Sequence, residues 1–224
     1  MAKINGGIYS LNVTAVTAAG TATVIANTHV VGFLVTDTAA NIRVAANLTA
    51  LINAGSKLVS ITESGTVGAI ALTAAQYTST FTAKFTNFTA TVSGVLAANA
   101  GAATADAKVS GVTVVDTSAN IASSIDALQS GIAKITAITQ SGTLAPLTIT
   151  ASQLTNDVAV LAKLASYTLI VTNVLAVNAT TVLTNTKVVS VAVADTAANL
   201  ATNLNALQTA GTRLTAITNT DNGI

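Results

Sequence analysis

Apolar and polar residues alternate along several short stretches of the chain, and one of these stretches occurs three times. Val191 and Val193 alternate with alanine, and the run leads directly into Asp195 and Thr196. A period of two places alternate side chains on one buried face of a β-strand. The copies, each 79 residues after the last, are 33–42, 112–121 and 191–200. The pattern therefore indicates an internal repeat of 79 residues.

The Asp-Thr step after each of these strands predicts a helix N-terminus. Either Asp195 or Thr196 can accept hydrogen bonds from the free N–H groups of the next helix, and a carboxylate also meets the positive end of the helix dipole. The three carboxylates are Asp37, Asp116 and Asp195. One carboxylate per repeat places them too far apart to share a calcium ion. We interpret them as structural caps, so that Asp116→Ala would cost about 1 kcal/mol.

The remaining periodic stretches complete each repeat. Helical stripes with spacings i, i+4 and i+7 follow the caps, at Ile121, Ile125 and Leu128 and at Leu200, Leu204 and Leu207. Other predicted strands are 9–16, 88–95 and 167–174, then 57–62, 134–139 and 213–218, and finally 147–150. A short helix is predicted over 177–185, and another helix with Leu154, Val158, Leu161 and Leu164 on its apolar side. Each repeat thus holds about three strand-helix modules.

This order predicts an α/β repeat solenoid in which consecutive strands pair in parallel, with helices on one side. We expect one solenoid domain over residues 1–224, divided into a partial repeat 1–36, repeats 37–115 and 116–194, and a partial repeat 195–224. The alternative is a string of small independent α/β or all-β domains. No Gly/Pro/Ser-rich linker separates the copies, which favours the solenoid.

Composition excludes several partners. The chain is 51% hydrophobic but only 8% charged and 3% aromatic, with a net charge of +1. Neither a nucleic acid nor an anionic membrane finds a basic footprint here, and every apolar run is too short to span a bilayer. The absence of cysteine excludes disulfides and thiolate metal sites. The first residues lack the apolar core of a signal peptide, so export would use another route or a segment already removed.

No group of residues in the sequence is typical of catalysis. The one histidine, His29, aligns with Lys108 and Lys187 in the later copies, which argues against a catalytic base. The other carboxylates occur singly, with no paired acid and base: Asp106, Asp126, Asp157, Asp221 and Glu63. We therefore expect no enzyme activity, no catalytic residue, no cofactor and no metal site.

Three segments resemble the repeats of very large secreted or surface-attached bacterial proteins of the adhesin and S-layer kind. They are 195–200, 205–208 and 134–139. The resemblance covers essentially the whole chain, although the Gly/Asp-rich calcium nonapeptides that often accompany such proteins are missing. It implies an extracellular structural role.

We therefore predict a self-assembling structural protein of an extracellular filament, sheath or surface layer, located outside the cell or on its surface. Met1 aligns with Ala159 and Ile224 with Ala145, so the two ends are successive parts of one pattern. Solenoid ends without polar caps leave open strand edges, and we expect the chain to polymerise head to tail with itself. The alternative is an adhesin or carbohydrate-binding repeat module, which would take surface glycans as partners.

Overall fold

The computed structural model describes residues 9–221 and has an α/β architecture in which strands alternate with short helices. The strands are β1 Leu11–Val16, β2 Val30–Thr38, β3 Leu58–Ser64, β4 Ile70–Thr73, β5 Ala90–Val95, β6 Val109–Asp116, β7 Ile135–Gln140, β8 Leu147–Thr150, β9 Leu169–Val174, β10 Val188–Asp195 and β11 Leu214–Asn219. They form three parallel sheets with strand orders β1-β2-β3, β4-β5-β6-β7 and β8-β9-β10-β11. The predicted α/β class with parallel strands and intervening helices is confirmed.

The helices are short. They are α1 Thr21–Ala26, α2 Ala39–Ile42, α3 Ala45–Asn53, α4 Ser79–Thr82, α5 Ala100–Ala105, α6 Ser118–Ser123, α7 Ile125–Ser130, α8 Ala151–Asn156, α9 Val158–Lys163, α10 Ala179–Leu183, α11 Ala197–Thr202 and α12 Leu204–Ala210. Single 3₁₀ turns occupy Gly55–Lys57, Ala97–Asn99, Ala176–Asn178 and Gly211–Arg213. Helices of four to nine residues are marginal alone, so their stability comes from packing on the sheets.

The chain divides into two compact units. The first contains the residues up to Ser93 together with Ala103–Gly111, and the second contains Gly94–Ala102 together with the residues from Val112 onward. The division passes within β5 and within β6. The single solenoid domain over residues 1–224, with its repeat boundaries, stays a prediction.

In the first unit, the alternation read from the sequence decides which face of β2 is buried. Phe33 and Val35 are inaccessible to solvent, whereas Leu34 and Thr36 are exposed. β2 pairs in parallel with β3, with Val35 opposite Ile61. The core beneath this face contains side chains from both the strands and the helices. Its fully buried members include Phe33, Val35, Ile42, Leu51 and Ile61.

The second unit repeats this construction. β6 pairs with β7, with Val114 opposite Ile138, and both side chains are inaccessible. The helical stripe Ile121, Ile125 and Leu128 is also completely buried, as predicted. In the same unit, β8 pairs with β9 in the register Leu147 to Leu169 and Ile149 to Val171.

Two predicted helices are each divided in two. The helix after Asp116 breaks at Ser124 between α6 and α7, and the helix after β8 breaks at Asp157 between α8 and α9. Asp157 has φ −106° and ψ 28°, which is outside helical geometry. The break changes which side faces the core, so that Val158 is 59% exposed and Val160 is buried. The prediction of Val158 on the apolar side was therefore wrong.

Candidate functional site

The aspartate near the end of β2, β6 and β10 binds the same three donors in each copy. Asp116 Oδ2 accepts from the backbone N–H of Ala97 at 2.9 Å. Its Oδ1 accepts from the N–H of Thr117 at 2.8 Å and from Asn120 Nδ2 at 2.7 Å. The equivalent bonds of Asp37 and Asp195 have the same lengths. We call this arrangement the aspartate clasp.

The clasp resolves which residue caps the helix. Thr117 is the N-cap, and its Oγ1 accepts from the N–H of Asn120 at 3.3 Å. Thr38 and Thr196 cap α2 and α11 in the same way. The aspartate instead joins the strand end to a segment 19 residues earlier in the chain. Of the two cap candidates in each copy, threonine is therefore the helix cap, and aspartate is a cross-link.

The clasps hold their carboxylates in the charged form. Burial raises the pKa of Asp37 and Asp116, but the hydrogen bonds from asparagine and the two backbone N–H groups outweigh it and lower the pKa below 3.8. At Asp195 the bond from Asn199 is the largest cause of the lowered pKa. Because three donors already surround each carboxylate, the clasp is a structural element and offers no free base.

One pair of carboxyl groups comes together that the sequence places 31 residues apart. Asp157 is buried at the break between α8 and α9, and it lies beside Asp126 in α7. Burial is the largest cause that raises the pKa of Asp157 to about 6, followed by the hydrogen bond to Asp126 and the charge of Asp126. Asp126 Oδ2 also accepts from Gln153 Nε2 at 3.1 Å. The expectation that these carboxylates stand singly was therefore wrong.

This acid pair is suited to holding a proton inside the fold. Within residues 9–221, no donor reaches Asp157 Oδ2, which is buried. A protonated Asp157 satisfies this oxygen by donating to Asp126. Asp157 is only 3% exposed, so the shared proton has no direct access to a substrate. The pair therefore joins α7 to the α8–α9 break.

The other carboxylates named in the sequence are also bound within their units. Asp106 accepts from Thr82 Oγ1 at 2.6 Å and from the Tyr77 hydroxyl at 3.2 Å. Burial, followed by the charge of Asp106, raises the pKa of Tyr77. Glu63 Oε2 accepts from the N–H of Gly68 at 2.7 Å, and Asp221 Oδ2 accepts from the N–H of Ala197 at 2.7 Å.

His29 lies on the surface, as predicted, and stacks on an aromatic ring. Its ring is 4.3 Å from that of Tyr9, and the two planes are 6° apart. One hundred and fifty-eight residues later, Lys187 Nζ lies 5.2 Å from the centre of the Tyr167 ring. Both tyrosines immediately precede an outer-face strand start and are partly exposed. These two contacts are the aromatic-basic pairs considered below.

Among residues 9–221 there is no group of three or more His, Cys, Asp or Glu side chains that could hold a metal ion. None of the helices in this part of the chain is both long enough and apolar enough to cross a membrane. Two cavities of about 460 and 450 Å³ occur, one in each unit. Neither family models, curated proteins nor solved structures yield a match to the chain.

Proposed function

We propose that this protein is a 79-residue-repeat solenoid that polymerises head to tail into an extracellular filament, sheath or surface layer. The observation that carries the proposal is the exposure of apolar side chains on β11. Ile217 is 51% exposed, whereas Ile61 and Ile138, at the same repeat position, are inaccessible. Ile61 and Ile138 form bridges to Phe85 and Leu164. Ile217 thus lies on a face that is covered in the other two copies.

The opposite edge of the repeat pattern has the same property at β1. In the described part of the chain, β1 has β2 as its strand partner, whereas β9 lies between β8 and β10. Leu11 is half-buried, but Leu169, at the same repeat position, is inaccessible and pairs with Leu147. An unpaired strand edge with apolar side chains is a template for another strand.

A second copy of the chain fits both edges. Strand pairs in this fold are parallel, so β11 of one molecule can continue the sheet at β1 of the next without reversing direction. The two surfaces differ, and a contact between different surfaces that does not close produces a fibre. The low charge content of 8% leaves little repulsion between stacked copies. The resemblance to adhesin and S-layer repeats supports an extracellular location.

The test uses variants that block one edge each. Ile217→Lys blocks the β11 edge, Val13→Lys blocks the β1 edge, and Val189→Lys is a control because Val189 is 41% exposed on the internal strand β10. We expect the unmodified chain and the control to form concentration-dependent filaments in negative stain and light scattering. Each blocked variant should stay monomeric, and an equimolar mixture of the two should stop at dimers. A monodisperse unmodified chain, or filaments from both blocked variants, would refute the proposal.

The location is tested separately. An antibody against the protein should label intact cells, and labelling confined to the cytoplasm would contradict an extracellular role. This result does not depend on whether the purified chain forms filaments.

The second candidate is an adhesin or carbohydrate-binding repeat, and the aromatic-basic pairs favour it. Tyr9 with His29 and Tyr167 with Lys187 each present a partly exposed ring beside a basic or imidazole group. Rings of this kind stack on sugars, and cations pair with acidic ones. Strong, selective signals on a glycan array that disappear in Tyr167→Ala would favour this function. Absence of selective signals would favour the structural role.

A further inference from the structure

A cavity of about 450 Å³ lies in the first unit, and we call it the Phe81 cavity. Its buried lining is apolar and includes Leu51, Leu58 and Phe81. Its more accessible lining is polar and includes Ser56, Thr80 and Lys84. The volume is within the range of small-molecule sites, which combine an apolar lining with a few polar groups.

Two features of the first repeat open this cavity. Gly55 has φ +55°, and a Cβ atom added there would meet no atom within 4 Å. The corresponding residue of the second repeat is Ile132, a much larger side chain. The wall is also aromatic here, because Phe81 packs edge-to-face on Phe85 with ring centres 5.2 Å apart. The second repeat has Val160 and Leu164 at these positions.

The charge at the cavity has one sign. Lys84 lines it, and no hydrogen bond or ion pair within residues 9–221 occupies its ammonium group. None of the described lining residues carries a carboxylate. The Thr80 hydroxyl lies 3.1 Å from that of Thr78, so the polar side of the cavity presents hydroxyl groups beside a cation. An anionic group with an apolar body satisfies both parts of this lining.

We propose that the Phe81 cavity binds a small monocarboxylate with an apolar body. The carboxylate pairs with the Lys84 ammonium and accepts from the Ser56 or Thr80 hydroxyl, while the apolar body lies against Leu51, Leu58 and Phe81. This binding function is separate from filament formation, because the cavity belongs to one unit of a single molecule.

Calorimetry with octanoate and with neutral octanamide tests the proposal on the full chain. We expect saturable 1:1 binding of octanoate, with shifts of the Phe81 ring signals in NMR spectra. Lys84→Gln should weaken octanoate binding about tenfold or more, because a charge-assisted hydrogen bond is lost. The matched control is Lys163→Gln, since Lys163 is the equivalent lysine of the second repeat, and it should not change binding. Octanamide should bind about tenfold more weakly than octanoate.

A second variant tests the cavity itself. Ser56→Trp places a large side chain at an exposed lining position, and it should abolish binding while the circular dichroism spectrum stays unchanged. The proposal is overturned if octanoate does not saturate the unmodified chain, or if octanamide binds equally well. Equal effects of the two lysine substitutions, or full binding by a folded Ser56→Trp variant, would also overturn it.

Discussion

The acid pair makes a specific prediction about how stability depends on pH. The pKa of Asp157 is about 6 in the folded chain and 3.8 for an ordinary aspartate. Between these two values the folded state binds a proton that the unfolded state releases, so unfolding free energy falls as pH rises. The contribution is complete below pH 3.8 and is lost as the pH passes 6. The full shift corresponds to about 3 kcal/mol.

Solvent reduces this figure, since Asp126 is exposed and screening weakens the repulsion between the two carboxylates. We therefore expect a loss of about 1–2 kcal/mol between pH 4 and pH 7. Asp157→Asn keeps a donor toward Asp126 and removes the titration. It should flatten this part of the stability profile and raise the unfolding free energy at pH 7.5 by about the same amount.

Urea unfolding followed by circular dichroism at half-unit steps from pH 4 to pH 8 measures both effects. Asp126→Asn is the matched control, and it should reduce the slope without abolishing it, because burial of Asp157 is the largest cause of its raised pKa. The aspartate clasps do not interfere. Their lowered pKa values confine their own effect to pH below 3.8, where stability is lost as pH falls. An unchanged slope in Asp157→Asn, or lower stability at pH 7.5, would refute the reasoning.

Three further predictions concern stability, each measured by urea unfolding at pH 7. Asp116→Ala should cost about 3 kcal/mol, more than a lost cap, because a buried N–H loses its charged acceptor; a cost near 1 kcal/mol would mean that the clasp adds nothing. Ala15→Gly should stabilise the chain by about 1 kcal/mol, since Ala15 has φ 55° and Gly94, at the same repeat position, has φ 72°; Gly94→Ala should have the opposite sign. Ile138→Ala should cost about 2–5 kcal/mol and Ile217→Ala below about 1 kcal/mol, because the first residue is inaccessible and the second is 51% exposed; equal costs would contradict the exposure difference on which head-to-tail stacking rests.

Much of the local structure follows from the spacing of apolar residues. The alternation in β2 and the stripe Ile121, Ile125 and Leu128 identified strands and a buried helical face, because a side chain's direction in regular structure depends only on its position in the period. The same spacing could not locate the helix breaks at Ser124 and Asp157. Those breaks depend on how two successive turns pack on the sheet, and no local residue pattern marks them.

The candidate sites depended far more on tertiary structure. The three-donor clasp joins Asp116 to Ala97, and the acid pair joins Asp126 to Asp157; in both cases the partners lie many residues apart. The Phe81 cavity likewise exists because Gly55 and Phe81 meet in one unit. The periodic sequence by itself determined the parallel α/β class, since periodicity directs each residue toward or away from the core. Only the tertiary structure decided which polar groups share a proton and where space remains, because both require distances between segments that the period does not contain.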